Sequence, residues 1–331
     1  VARTPPEKTN ATNEVDHLVR RLKEGEDAAL ARVLTLIESA SPASRQILEH
    51  LSALELARVP VIGVTGPPGS GKSTLVGRLV AALVGRGQRV GVIAVDPSSA
   101  RRGGAVLGDR VRMTESIDES RVFVRSMAAR GALGGVSLAT RGAILALRAA
   151  RFDAVIVETV GVGQGELDIA TIASTLVLVH TPESGDEVQG VKVGLNELAD
   201  IHVLNKADLD GAEIAHARLV DMLAGFSAAS TEKPVVIEVV ARSGAGIEDL
   251  LAAIDRHEAL GAEHSPDRLS TTSRLRIELA RSFEQALVQP LAQKIIGRVA
   301  SGELEITAAL RELVALVGEQ LEKRPASDDH R

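Results

Sequence analysis

A doubly wound, mainly parallel α/β sheet of seven strands, with helical extensions before and after it, is the fold this sequence predicts. Three observations carry that reading. Seven short runs rich in Val, Ile and Leu punctuate the middle of the chain, at 59–65, 89–96, 121–126, 153–159, 175–181, 200–205 and 234–240. Most are apolar without alternation, as strands covered on both faces must be. Between them lie segments of helical period, such as Leu75, Leu79, Val80 and Leu83, then Ile144, Leu145 and Leu147. Strands interleaved with helices give crossovers of one hand, which bring the strand C-termini to a single edge where ligands bind.

In chain order, residues 1–13 read as a disordered tail, with Pro5, Pro6 and almost no apolar content. Residues 14–57 read as an N-terminal helical extension. Val15, Leu18, Val19 and Leu22 share one face, Leu30, Val33, Leu34 and Ile37 another, and Ile47, Leu48, Leu51 and Leu54 follow Ser41-Pro42, a capping serine before a proline in the first helical turn. Residues 58–260 form the sheet domain. A C-terminal helical arm spans 261–324, opened by Ser265-Pro266-Asp267 and carrying Leu275, Leu279, Phe283 and Leu287. Pro290 is expected to kink that helix. A second helix carries Leu304, Leu310, Leu313, Val314 and Val317, and 325–331 is a tail. Two helices that cannot bury a stripe alone call for docking or for a second subunit.

Composition narrows the function. The chain has 331 residues, 45% hydrophobic and 25% charged, in globular proportion. No apolar run reaches the ~18–20 residues of a membrane span, and the N-terminus is polar throughout. Cysteine is absent, which excludes thiolate catalysis and Cys-based metal sites. Trp and Tyr are absent too, and a net charge of −6 argues against a nucleic-acid binder. A cytoplasmic protein with neither a nucleic-acid nor a membrane partner is the expectation.

The strongest motif is Gly66-Pro67-Pro68-Gly69-Ser70-Gly71-Lys72-Ser73, which fits G-x-x-x-x-G-K-[ST] and is followed by Thr74. It stands directly after a strand and before a helix. Glycines let successive N–H groups turn inward around phosphates, and the helix N-terminus adds partial positive charge. Lys72 supplies a mobile charge for the β- and γ-phosphates, and the Ser73 hydroxyl suits Mg²⁺. The fold is therefore that of a P-loop NTPase.

Asn205-Lys206-Ala207-Asp208 ends the sixth strand. A carboxylate at Asp208 accepts from the guanine N1–H and amine together, a donor pair that adenine lacks. The Lys206 stem can cover the base plane and Asn205 can tie the loop together. Ala241-Arg242-Ser243-Gly244 ends the last strand, and Ser243 and Gly244 are candidates for contacts to the base. GTP and GDP are the nucleotides expected.

Asp96 ends the second strand and Glu158 the fourth, with Asp109 between them in a glycine- and arginine-rich stretch. Carboxylates at strand ends beside a P-loop can hold Mg²⁺ directly or through its waters, although each can equally cap a helix. Gly161-Val162-Gly163-Gln164-Gly165-Glu166 is dense enough in glycine to change shape with the γ-phosphate. In Ras-like GTPases a glutamine after this glycine orients the attacking water. Here Val162 cannot, and Gln164 is the substitute candidate, so hydrolysis is expected to be slow until a partner completes it. A further candidate switch runs from Glu183 to Lys192; it reads equally as a solvated helix start.

Taken together, the strings GPPGSGKST, VDPSSARRGGAVLGDRVRM, ETVGVGQGELD, ESGDEVQGVK and ELADIHVLNKAD, in order over about residues 60–210, resemble the methylmalonyl-CoA mutase-associated GTPases of MeaB type. The resemblance implies a GTPase chaperone that gates cofactor loading of an adenosylcobalamin-dependent methylmalonyl-CoA mutase and protects it. It assigns Mg²⁺ contacts to Ser73, Asp96, Asp109 and Glu158. It also places Asp186, Gln189 and Lys192 in a third switch whose lysine acts on the nucleotide once the mutase is bound. Lys72, Lys192, Gln164 and Asp96 are then the candidates for the hydrolytic step, and the C-terminal helices imply a homodimer. Gly165 stands where the family usually has serine, and Ala241-Arg242-Ser243 is a loose version of the last base-binding loop.

The alternative is a nickel-insertion GTPase of hydrogenase or urease maturation, similar around the P-loop. Those proteins carry Cys/His metal-binding stretches, whereas the 8 histidines here are scattered. A P-loop small-molecule kinase is disfavoured by Asn205 and Asp208, and a non-hydrolysing scaffold by Lys72 and Ser73.

Overall fold

The computed structural model describes residues 7–39, 41–96, 118–128, 135–159, 169–183, 193–226, 235–263, 290–301 and 303–323. Seven strands form one sheet: β1 (Val61–Thr65), β2 (Val90–Asp96), β3 (Val122–Ala128), β4 (Ala154–Thr159), β5 (Thr175–His180), β6 (Ile201–Asn205) and β7 (Val235–Val239). Every pairing is parallel, in the order β3-β2-β4-β1-β5-β6-β7. β1, β4, β5 and β6 are buried along their whole length, which accounts for their unbroken apolar runs. β1 lies between β4 and β5, so the chain leaves it toward one edge and later returns to build the other. That reversal opens a crevice above its C-terminal end.

Three helices precede the sheet: α1 (Glu7–Lys23), α2 (Asp27–Glu38) and α3 (Pro42–Ser52). α4 (Lys72–Gly85) follows β1, and α5 (Gly135–Ala149) links β3 to β4. α6 (Val193–Leu198), α7 (Ala212–Phe226) and α8 (Ile247–Glu263) follow among the described residues. One sheet face is covered by α4 and α8, through Leu75, Leu79, Leu250 and Ile254 against Ile62, Val64, Ile156 and Val177. The other is covered by α5, whose Ala143 and Leu147 join Leu22, Leu30, Leu34, Ile47 and Leu51 of the first three helices in a continuous core with Val155 and Val157.

The N-terminal helices thus share the sheet's own core. The chain divides into two compact units, Val1–Pro266 and Asp267–Arg331, and the first includes the helical prefix. α1 starts at Glu7, so residues 7–13 of the expected tail are helical. Once Val15, Val19 and Leu22 are buried, the costly nucleus is already formed, and polar residues extend it one hydrogen bond at a time. Ser41 does occupy the N-cap of α3 with Pro42 at the first helical position, but its hydroxyl makes no cap bond. Its carbonyl instead accepts from the Ser44 N–H and hydroxyl.

In the second unit, α9 (Pro290–Ala300) and α10 (Ile306–Lys323) bury Ala292, Ile295, Ala309 and Leu313. Pro290 opens α9, a position where its missing N–H costs nothing; the expected helix through Leu275 and Leu287 lies outside the described residues. Ile306, Leu310 and Val314 leave an exposed stripe at i, i+4 spacing along α10. Among the described residues no helix is long and apolar enough to cross a membrane.

β5 and β6 carry a buried imidazole pair. His180 and His202 stack with ring centroids 5.3 Å apart, and His180 Nε2 lies 3.1 Å from His202 Nδ1. Burial pushes His202 down to about 4, against a smaller opposing pull from Asp200.

Leu34 is fully buried in the core shared by prefix and sheet. Leu34→Ala should therefore cost about 2–5 kcal/mol in a single cooperative urea transition, whereas a separately folded prefix would leave the main transition in place. His202 gives a second prediction. An unfolded histidine takes up its proton near 6.5, so between that pH and about 4 the unfolded chain holds more protons than the folded one. Stability from this group is complete above about pH 6.5 and falls as the pH drops toward 4, by about 3 kcal/mol in all. Urea midpoints at pH 7 and pH 4.5 should shift less in His202→Gln than in the parent; equal shifts would place the acid sensitivity elsewhere.

Candidate functional site

The crevice above β1 is built by residues 66–74. Gly66, Gly69 and Gly71 all have positive φ, at 147°, 77° and 88°. At two of them a side chain is also excluded by space: a Cβ on Gly66 would sit 2.4 Å from the Val179 carbonyl oxygen, and one on Gly71 would sit 2.3 Å from Asn205 Nδ2. The loop closes with the Ser70 N–H donating to the Pro67 carbonyl at 3.3 Å. Gly71 is the N-cap of α4 and no side chain caps the helix, which leaves its first amides and its positive dipole end for an anion. Lys72 is buried, and its Nζ donates to the carbonyls of Gly66 and Pro67 at 2.8 Å each. A lysine, uncapped helix amides and a glycine-built turn give this loop the chemistry that a phosphate cradle requires.

On one side of the cradle the Ser73 hydroxyl donates to Glu158 Oε1 at 2.6 Å. Glu158 is buried at the end of β4. A hydroxyl and a carboxylate converging at the first turn of α4 are hard oxygen donors of the kind Mg²⁺ takes, so the residues present fit that ion. Asp96 ends β2, one step beyond the registered pair Val95 and Thr159, at the same sheet edge. The Asp96 side chain, Asp109, Gln164, Asp186, Gln189 and Lys192 lie outside the described residues.

On the other side lies a cavity of about 350 Å³. Gly71 and Thr74 line it from the cradle, Lys206 and Asp208 from the loop after β6, and Ala241 and Arg242 from the loop after β7. Asn205, almost fully buried, joins all three segments. Its Nδ2 donates to the Ser70 carbonyl at 2.7 Å, and its Oδ1 accepts from the Ala241 N–H at 3.1 Å. Lys206 holds a left-handed φ of 60°, rare for a residue with a side chain, and its Nζ lies 3.4 Å from Glu183 Oε2.

Ser243 and Gly244 are not among the residues that line the cavity. Both N–H groups donate to the Val240 carbonyl, at 3.0 and 2.9 Å, because the Val240–Ala245 bridge closes a tight loop that folds those amides back on itself. Arg78, which no motif flagged, holds the preceding peptides: Nε donates to the Ala241 carbonyl at 3.0 Å and Nη2 to the Arg242 carbonyl at 2.6 Å. The signal available was a lone charge in the apolar stretch of α4 that follows Lys72.

The family model described as methylmalonyl-CoA mutase-associated GTPase MeaB matches residues 30–294. A Caulobacter vibrioides protein named as a GTPase is 39% identical over 321 residues, covering 92% of this chain and 98% of its own. The mouse protein named methylmalonic aciduria type A homolog, mitochondrial, is 37% identical over 253 residues, covering 71% of this chain and 61% of its own. Among solved structures, one described as an LAO/AO transport system kinase aligns with a TM-score of 0.64 at 28% identity, over 96% of this chain and 100% of that one. With a parallel sheet, a glycine-built phosphate cradle and a model match over most of its length, the chain belongs to the methylmalonyl-CoA mutase-associated GTPase family of MeaB type.

Proposed function

We propose that this GTPase is a chaperone of an adenosylcobalamin-dependent methylmalonyl-CoA mutase, using GTP binding and hydrolysis to gate cofactor loading and protect the mutase. The observation that carries the nucleotide half is the Asn205 bridge, which sets a phosphate cradle and an Asp208-lined cavity at a fixed spacing. The mutase half rests on the family.

In this reading the loop amides and Lys72 hold the β- and γ-phosphates, and Asp208 takes the two donors of the guanine edge while the Lys206 stem covers its face. Ser73 and Glu158 hold Mg²⁺, joined by Asp96 and Asp109. When bound, that ion neutralises charge growing on the transferred phosphoryl group. Gln164 and Lys192 are the proposed residues for the hydrolytic step, Lys192 acting once the mutase is engaged. A homodimer through the terminal arm is supported by the Ile306, Leu310 and Val314 stripe, an apolar row left in water by the α9–α10 pair.

Asp208→Asn should weaken GTP binding at least tenfold and raise affinity for XTP, measured by calorimetry; unchanged GTP affinity would remove Asp208 from the base site. GTP turnover should be slow for the chain alone and several-fold faster with an adenosylcobalamin-dependent methylmalonyl-CoA mutase that co-elutes with it. No co-elution and no stimulation would overturn the chaperone reading.

A further inference from the structure

We propose that Arg78 is a positioning residue for purine discrimination, acting through the peptide between Ala241 and Arg242. The inference rests on the guanine reading of the cavity. Arg78 stands on the phosphate-cradle helix, six residues beyond Lys72, and does not line the cavity itself. It lies behind the 241–242 backbone, where its guanidinium holds two successive carbonyls at 3.0 and 2.6 Å.

Peptide planarity carries the consequence forward. In a trans peptide the C=O and the following N–H point in opposite directions. With the Ala241 carbonyl drawn back to Arg78, the Arg242 N–H is turned the other way, on the side where Ala241 and Arg242 line the cavity. The neighbouring amides are all committed: Ala241 N–H to Asn205, and Ser243 and Gly244 N–H to Val240. The Arg242 N–H has no acceptor among the described residues.

One N–H donor facing the base reads position 6 of a purine. Guanine presents an oxygen there, which accepts; adenine presents an amine, which places donor against donor. Asp208 reads the N1 and amine edge, and the Arg78-held amide reads the oxygen beside it. A planar guanidinium carries its five donors in a rigid fork and so fixes the orientation of two peptide planes at once, whereas an ammonium is a point charge with rotatable donors. This also joins base reading to phosphate reading, since cradle and clamp share one rigid helix.

The test compares GDP, ADP and 6-thioguanosine diphosphate on the full chain. The thio analogue keeps the N1–H and the amine but replaces the position-6 oxygen with a poor acceptor. Arg78→Met keeps the stem and removes the donors. GDP affinity should fall about tenfold, the worth of one hydrogen bond, while affinity for the thio analogue stays within about twofold, so their ratio collapses. Arg78→Lys, which keeps donors but loses the rigid fork, should give an intermediate ratio, and it serves if the methionine variant fails to fold by circular dichroism. Equal weakening of GDP and the thio analogue, or no change in either, overturns the inference alone. A parent chain that binds GDP no tighter than ADP brings down the guanine reading and this inference with it.

Discussion

One carboxamide sets the geometry of the site. Asn205 offers a donor to the Ser70 carbonyl and an acceptor to the Ala241 N–H, and so ties the cradle after β1 to the loop after β7 from its own place at the end of β6. Each bond is worth only about 1 kcal/mol net, but leaving either partner buried and unpaired costs about 1–3 kcal/mol. The asymmetry makes the bridge hard to open. It also explains why residue 71 must be glycine twice over: φ is left-handed, and the space a Cβ would fill belongs to Asn205. The spacing between the glycine loop and the Asp208-lined cavity is therefore a property of the folded chain, the condition under which binding energy is not spent on ordering loops.

A second set of contacts fixes the strand ends. Thr65 and Thr159 stand at the C-terminal ends of neighbouring β1 and β4, and the Thr159 hydroxyl donates to the Thr65 hydroxyl at 2.9 Å in a buried setting. On the same sheet face, Gly63 lacks a Cβ where Ile169 and Ala173 press to 2.9 Å of that position. The residues just before and just after 160–168 are thus both anchored on β1, the strand that carries the cradle. Alternation along β4 then turns Glu158 to the opposite face, toward Ser73. Period 2 alone separates the residue that braces the sheet from the residue that accepts from Ser73.

Much of this was legible in the amino-acid order because it is local. A fully buried parallel strand must be apolar on both faces, so β1, β4, β5 and β6 show as unbroken runs. A loop that wraps phosphate must bring glycines, lysine and serine to fixed offsets. What was not legible depends on contacts between distant segments. Arg78 is unremarkable until α4 is laid against residues 241–242, 163 and 164 positions away in sequence. Ser243 and Gly244 share the composition of a base-binding loop, and only the Val240–Ala245 bridge shows that their amides are already used. The helical prefix looked like an addition because its period says nothing of what it covers; Leu34 and Ile47 prove to lie in one core with Leu147 and Val155.

Lys72 is tied into the loop that it serves. A buried ammonium without partners costs several kcal/mol, yet here two carbonyls of the loop it serves take its protons at 2.8 Å. The positive φ of Gly66 helps to turn that carbonyl inward. On the proposed reading, arrival of a triphosphate would exchange carbonyl partners for phosphate oxygens and would not create an interaction from nothing. The lysine's contribution to affinity is the difference between two well-solvated states, smaller than a gross Coulomb estimate at the same distance. In the loop the Ser70 N–H is committed to the Pro67 carbonyl, whereas the first turn of α4 has no side-chain cap to give up. On the proposed reading the first-turn amides of α4 would then carry more of the affinity than the cation, and the lysine's charge would follow the γ-phosphate as negative charge shifts during transfer.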